Sequence, residues 1–301
     1  MRTRMMRWLL RLTVGLVAII ALTAIAVYGI SELRLRKTYQ VEVAELFIPT
    51  DAASIERGRI LAGPAAHCAG CHMPNLGGQV MVDDLPFLVA APNLTSGAGG
   101  VGATYSNGDL LRAIRHGVRP DGSTIQLMPA QNYNQLSDQD VAAIIAYIRS
   151  MPPVDNQPGE TELRPLGRLL MVLGQFGLPA ESIDHTVTSS AAVPFGRTVA
   201  YGQYLAVIGN CASCHGANYS GAPLIIPGEP PSANLTPGGG LSDWSEADFV
   251  TAMRAGVRPD GSAIDPAMPW ELTGQLSDDE LGALYLYFKT LPALEYNSPA
   301  E

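Results

Sequence analysis

The four cysteines of this 301-residue chain fall into two copies of one pattern, Cys68-Ala69-Gly70-Cys71-His72 and Cys211-Ala212-Ser213-Cys214-His215. Two thiols three positions apart can add to the two vinyl groups of one porphyrin, and the histidine that follows is then set beneath the iron as its proximal ligand. A disulfide framework needs no histidine after each pair. A zinc centre built from two Cys-x-x-Cys knuckles separates them by roughly 15–20 residues, whereas Cys71 and Cys211 stand 140 positions apart. The pattern predicts two covalently held haems c.

Such a haem needs a sixth ligand, and an internal repeat supplies one. His116-Gly117-Val118-Arg119-Pro120-Asp121-Gly122-Ser123 returns as Ala255-Gly256-Val257-Arg258-Pro259-Asp260-Gly261-Ser262. Met128-Pro129 then matches Met268-Pro269, with one residue inserted near Asp265-Pro266, and Gln135 to Asp138 matches Gln275 to Asp278. Upstream, Asn93-Leu94-Thr95 matches Asn234-Leu235-Thr236. A thioether is a soft neutral ligand that raises the potential of a haem. Most methionines fill cores, which suits Met151 and Met253 on helices. It suits Met128 and Met268 less well, since both precede proline in glycine- and proline-bearing loops. His116 is matched by Ala255 and is read as a surface residue; His67 and His185 are read as structural or exposed.

The elements that must position these groups are helices. Ser137 to Asp140 and Ser277 to Glu280 are helix-start signatures ahead of Val141–Arg149 and Leu281–Lys289. Ser106 to Asp109 and Ser245 to Asp248 open a second pair, running to Gly117 and Gly256. Ala53–Leu61 and Val199–Ile208 precede the two cysteine motifs. The glycine-rich loops between them cannot build a core alone, and a buried porphyrin would serve as one. The expected fold is all-α, with domains at 38–155 and 197–301. A linker at 156–196 holds one helix, Pro165 to Phe176. Its apolar residues spread around the helix, which favours packing against both haem domains over lying on a membrane.

At the N-terminus, Arg2, Arg4, Arg7 and Arg11 precede an uncharged run from Leu12 to Ile30. At about 1.5 Å per residue that run spans roughly 28 Å, close to the hydrocarbon thickness of a bilayer. It exceeds the apolar core of a signal peptide. Residues 1–37 therefore read as a cytoplasmic tail and transmembrane anchor, and the leading arginines place everything after it on the outer, periplasmic side of the inner membrane. Net charge is −9, but residues 38–301 hold 12 basic against 27 acidic residues, net −15. So acidic a body disfavours nucleic acid and suits a partner with a basic docking face.

Each unit resembles a class I cytochrome c domain. The order of the NLT, Tyr/Trp-Ser, GVRPDG, Met-Pro and LSD motifs resembles the cytochrome subunits of membrane-bound alcohol and gluconate dehydrogenases, over about residues 53 to 296. Those subunits carry three haem domains and a C-terminal anchor; this chain has two and an N-terminal one. The resemblance implies that Asn93, Asn234, Tyr105 and Trp244 pack on haem or bond its propionates. It also implies that Arg119 and Arg258 either pair with a propionate or brace their turns. With His72/Met128 and His215/Met268 as axial pairs, neither iron keeps a site for substrate, so the expected role is electron transfer rather than catalysis. The expected partners are redox proteins: a dehydrogenase, a respiratory complex or an oxidase. A di-haem peroxidase and the di-haem subunit of a cytochrome c oxidase complex are the alternatives. The first would need a displaceable distal ligand, and the second places its haem motifs closer together.

Overall fold

The computed structural model describes residues 2–223 and 230–299. The chain opens with α1 (Arg2–Leu35), whose apolar side chains are exposed along its length. An extended segment then crosses the first unit, pairing at Thr38 with Ser123 and burying Val41. Unit 1 follows as α2 (Ala52–Ile60), α3 (Cys68–His72), a hairpin of β1 (Gln79–Asp83) and β2 (Phe87–Ala91), α4 (Asn107–His116), α5 (Ala130–Tyr133) and α6 (Asp138–Ser150). The linker holds β3 (Glu162–Leu163), α7 (Pro165–Val172) and α8 (Pro179–Ser182). Unit 2 repeats the helical order with α9 (Val199–Ile208), α10 (Cys211–His215), α11 (Glu246–Ala255), α12 (Trp270–Thr273) and α13 (Asp278–Thr290).

The helix ends follow local chemistry. Ser106 with Asp109, Ser245 with Asp248, and Ser277 with Glu280 close reciprocal capping boxes. Gly117 and Gly256 end α4 and α11 at φ 63° and 66°, a conformation glycine enters without steric cost. In both units the first helix crosses the last at a glycine. A Cβ at Gly58 would collide with the carbonyl of Ala143, and one at Gly202 with that of Ala283.

Three features depart from the sequence reading. The fold is helical, but it carries a small antiparallel sheet of order β1-β2-β3, pairing Gln79 with Ala91 and Phe87 with Leu163. Val80-Met81-Val82 and Phe87-Leu88-Val89 are strand formers on either side of an Asp-Asp-Leu-Pro turn, so the hairpin is locally encoded. The second departure is a π-helical turn at Leu61–Ala65. Gly58 lies ten positions before Cys68, while Gly202 lies nine before Cys211; the wide turn absorbs the extra residue. The third concerns α7, which is shorter than expected and does not bridge the haem domains. It packs on the end of α1 and on the hairpin, with Leu163, Met171, Leu178, Leu35, Phe87 and Phe176 forming a small separate core.

The two units share one continuous core. At its centre Arg57 and Tyr201, which occupy matching positions one residue before Gly58 and Gly202, meet across the interface, Nη2 to hydroxyl at 2.9 Å. Arg57 also donates to Asp140 at 3.1 Å and to Glu280 at 3.1 Å. Tyr204 completes the set, donating to Asp140 at 2.7 Å and accepting from the Ser137 amide at 3.2 Å. A residue bonded to its own repeat partner marks an approximate twofold relation between the units.

Candidate haem sites

Each cysteine motif forms a single helical turn held between two left-handed residues. His67 (φ 54°) and Met73 (φ 67°) flank α3, and Asn210 (φ 56°) and Gly216 (φ 80°) flank α10. Three of the four are not glycine, so this backbone is imposed by its surroundings against the local steric preference.

The histidine that ends each turn is buried and fixed in tautomer. His72 Nδ1 lies 2.8 Å from the Pro92 carbonyl, and His215 Nδ1 lies 2.7 Å from the Ala233 carbonyl. A carbonyl can only accept, so Nδ1 carries the proton and Nε2 presents its lone pair. Burial also lowers both pKa values, which keeps the rings neutral. The thiols of Cys68 and Cys211 are pushed up to about 12 by burial. Among the described residues no group of three or more His, Cys, Asp or Glu side chains could hold a metal ion. Two thiols and one oriented neutral imidazole per unit fit covalent haem.

Met128 and Met268 lie half-buried against the shared core, at equivalent points of equivalent loops. Each loop leaves its helix through a pinned turn: Ile125 bonds Gly117 at 2.6 Å and Ile264 bonds Gly256 at 2.7 Å. Past the methionine, the Ala130 amide bonds back to Met128 at 2.8 Å and that of Trp270 to Met268 at 2.7 Å.

The neighbouring polar residues mostly brace these loops. The Asn93 side chain, fully buried, donates to Val154 at 2.6 Å and accepts from Thr95 at 2.8 Å; Asn234 does the same with Leu294 and Thr236, at 2.8 Å each. These bonds tie the NLT loop to the chain beyond the last helix. Arg119 donates to the Thr124 carbonyl, and Arg258 to that of Ala263 at 2.5 Å, so both brace their turns. Tyr105 and Trp244 pack against the core.

His116 is only 1% exposed and faces His185, Nδ1 to Nδ1 at 3.2 Å, which corrects the surface reading. Its helix face is covered by the linker. His67 reaches across to Thr273 in α12, at 3.1 Å, and Asn132 in α5 bonds Asn210. The residue before each cysteine motif therefore docks on the helix after the opposite methionine. Arg115 and Arg254 escaped the sequence reading. Arg115 holds the Leu136 carbonyl and Asp138, each at 2.6 Å, and Arg254 holds Gly274 and Asp278. Their signal was recurrence two residues before each GVRPDG turn.

Fold and site together define a tandem haem-binding cytochrome. The cytochrome c family profile matches residues 55–152 and 199–292, and the chain belongs to that family. It is 28% identical over 258 residues to a diheme cytochrome c-type protein of Cereibacter sphaeroides, covering 77% of this chain and 84% of that one. Shorter matches join it to the gluconate 2-dehydrogenase cytochrome c subunit of Pantoea cypripedii, 39% identical over 95 residues. The cytochrome c subunit of the quinone-dependent alcohol dehydrogenase of Gluconobacter oxydans is 37% identical over 95 residues. Those two matches take in 29% of this chain and only 22% and 20% of the subunits. The protein is an electron carrier that holds two covalently bound haems c.

Proposed function

We propose that this carrier is held by α1 in the cytoplasmic membrane and works on its outer face. There it relays electrons from a membrane-associated dehydrogenase, or another respiratory donor, to a downstream acceptor. Cys68 and Cys71 with His72, and Cys211 and Cys214 with His215, attach and ligate the two haems, and Met128 and Met268 complete the axial sets. When bound, haem c supplies one-electron chemistry between Fe(III) and Fe(II). The protein orients each imidazole through a backbone carbonyl and presents each thioether from a pinned loop. The observation that carries the reading is the matched pair of Nδ1-to-carbonyl bonds, which aims one neutral Nε2 in each unit. Similarity to dehydrogenase cytochrome subunits supports the donor class. Among the described residues one helix is long and apolar enough to span, with mean hydropathy 2.3, and it supports the anchor.

The test is spectroscopic. The oxidised holoprotein should show the weak near-infrared sulfur-to-iron band, and Met128→Ala and Met268→Ala should each remove about half of it. A variant that leaves the band intact removes that methionine from the ligand set. Rapid peroxide turnover by the wild type would favour a peroxidase instead.

A further inference from the structure

The helix α7 is apolar on two sides, and the described residues bury one of them and leave the other partly exposed. Gly167 and Met171 are buried against Pro86 and Phe87 of the hairpin and the end of α1. On the other side Leu166, Leu169, Leu170 and Leu173 form a stripe at helical spacing; Leu166 is 43% and Leu173 62% exposed. The hairpin turn, clamped to the start of α7 by Arg164 through Asp83 and the Asp84 carbonyl at 2.5 and 2.6 Å, adds Leu85 at 75% exposure.

The position of this patch identifies what covers it. Arg168 donates to Ser31 and Glu32 at 2.9 Å and lies over the Tyr28 ring, while Arg34 donates to the Met171 carbonyl at 2.8 Å. These contacts fasten α7 to the turns of α1 that immediately follow the Leu12–Ile30 run. Ser31 to Arg34 lie one to four residues beyond Ile30, so at about 1.5 Å of rise each α7 meets α1 within roughly 6 Å of the end of the uncharged run. At the end of α1, Leu33 is likewise 78% exposed. At this end Arg34, Arg36, Arg164 and Arg168 pair with Glu181, Glu32, Asp83 and Glu32, which leaves it closer to neutral than the acidic body of the molecule and so the end that anionic headgroups repel least.

We propose that α7 and the β1–β2 turn form a second, interfacial contact with the outer leaflet, with Leu85, Leu166 and Leu173 reaching the acyl boundary. This rests on the anchor reading and deepens it. A single span leaves the haem units free to swing, whereas a span joined to an interfacial helix fixes unit 1 against the membrane plane.

The test uses full-length holoprotein in phosphatidylcholine–phosphatidylglycerol vesicles. The four native cysteines are consumed by haem attachment, so one added cysteine can carry a nitroxide. Leu166→Cys and Leu173→Cys are compared with Leu22→Cys in the middle of α1 and with Asp279→Cys on the water-exposed start of α13. Expected is a several-fold higher ratio of oxygen to nickel-chelate accessibility at 166 and 173 than at 279. If position 22 reads as lipid while 166 and 173 read as water, the anchor stands and the interfacial contact is overturned; a protein partner is then what covers the stripe. If position 22 also reads as water, both readings fall.

Discussion

The two cytochrome units repeat each other in sequence and in backbone, yet one is covered where the other is bare. In unit 1 the turn after α4 is sealed: Val118 is fully buried beneath the segment following α1 and the linker around Ala180. In unit 2 the same turn faces outward, and Val257 is 41% exposed. The hydrogen bonds within the two turns match, Arg119 to Ser123 at 2.8 Å against Arg258 to Ser262 at 2.8 Å. What differs is the neighbour. The chain before unit 1 and the chain after it both fold over this face, and no corresponding chain covers unit 2 among the described residues. The comparison teaches that the repeat specifies the turn itself, while the linker and the segment after α1 specify its exposure. On this face unit 2 is the more exposed of the two among the described residues.

The interface between the units gives the largest way to break that comparison. Arg57 sits where unit 2 has Tyr201, and its guanidinium pairs with both Asp140 and Glu280. Burial opposes its charge, but Asp140 and Tyr201 outweigh that and raise its pKa. Arg57→Met leaves two carboxylates without their cation and should cost about 2–3 kcal/mol, below the full penalty for a buried pair because the guanidinium is partly exposed. Tyr201→Phe removes one hydroxyl and should cost about 1 kcal/mol. Denaturant unfolding of the holoprotein checks both; equal costs would show that the two repeat positions are equivalent after all.

A smaller effect separates the units by pH. Burial first, then the charges of His185, Arg115 and Arg112, push the His116 pKa down to about 4. In the unfolded chain the ring returns to about 6.5. As pH falls, the unfolded state takes up the proton first, so this term leaves stability intact above about pH 6.5 and erodes it down to about pH 4. The loss should be on the order of 2 kcal/mol and confined to unit 1, since unit 2 has Ala255 at the matching place. In His116→Ala the difference in thermal stability between about pH 7 and about pH 5 should shrink. An undiminished difference would place the acid sensitivity elsewhere.

The smallest expected effect is one on which the units agree. Ser106 and Ser245 close identical exposed capping boxes, each accepting from the backbone three residues on, at 3.1 and 3.2 Å. Ser106→Ala and Ser245→Ala should each cost about 1 kcal/mol. A marked inequality would show that the covering of unit 1 reaches even its helix caps.

Much of the fold was legible because it is locally encoded. Helix starts at Ser106, Ser137, Ser245 and Ser277 announce themselves within four residues, and α9 falls where its apolar run lies. The hairpin is equally local, with strand formers on either side of a turn. The short helices carrying the haem motifs are not, since five residues hold no periodicity to read. The roles of Asn93 and Asn234 were obscured for another reason: their amides bond carbonyls about sixty positions away, and nothing in the flanking sequence points there.

What the sequence alone determined is the chemistry whose partners lie close along the chain: two Cys-x-x-Cys-His motifs, the repeat that pairs each with a Met-Pro loop, the caps and the apolar N-terminal run. What only the tertiary structure decided is which surface lies against which. Arg57 meets Glu280 across 223 positions, His116 is buried by a linker 69 positions on, and α7 rests on the end of α1 137 positions before it. The cysteine motifs declare themselves because bond geometry limits their spacing. The packing partners do not, because chain folding can bring any two distant positions together, and the free energy of their contact is set by shape and burial rather than by order in the chain.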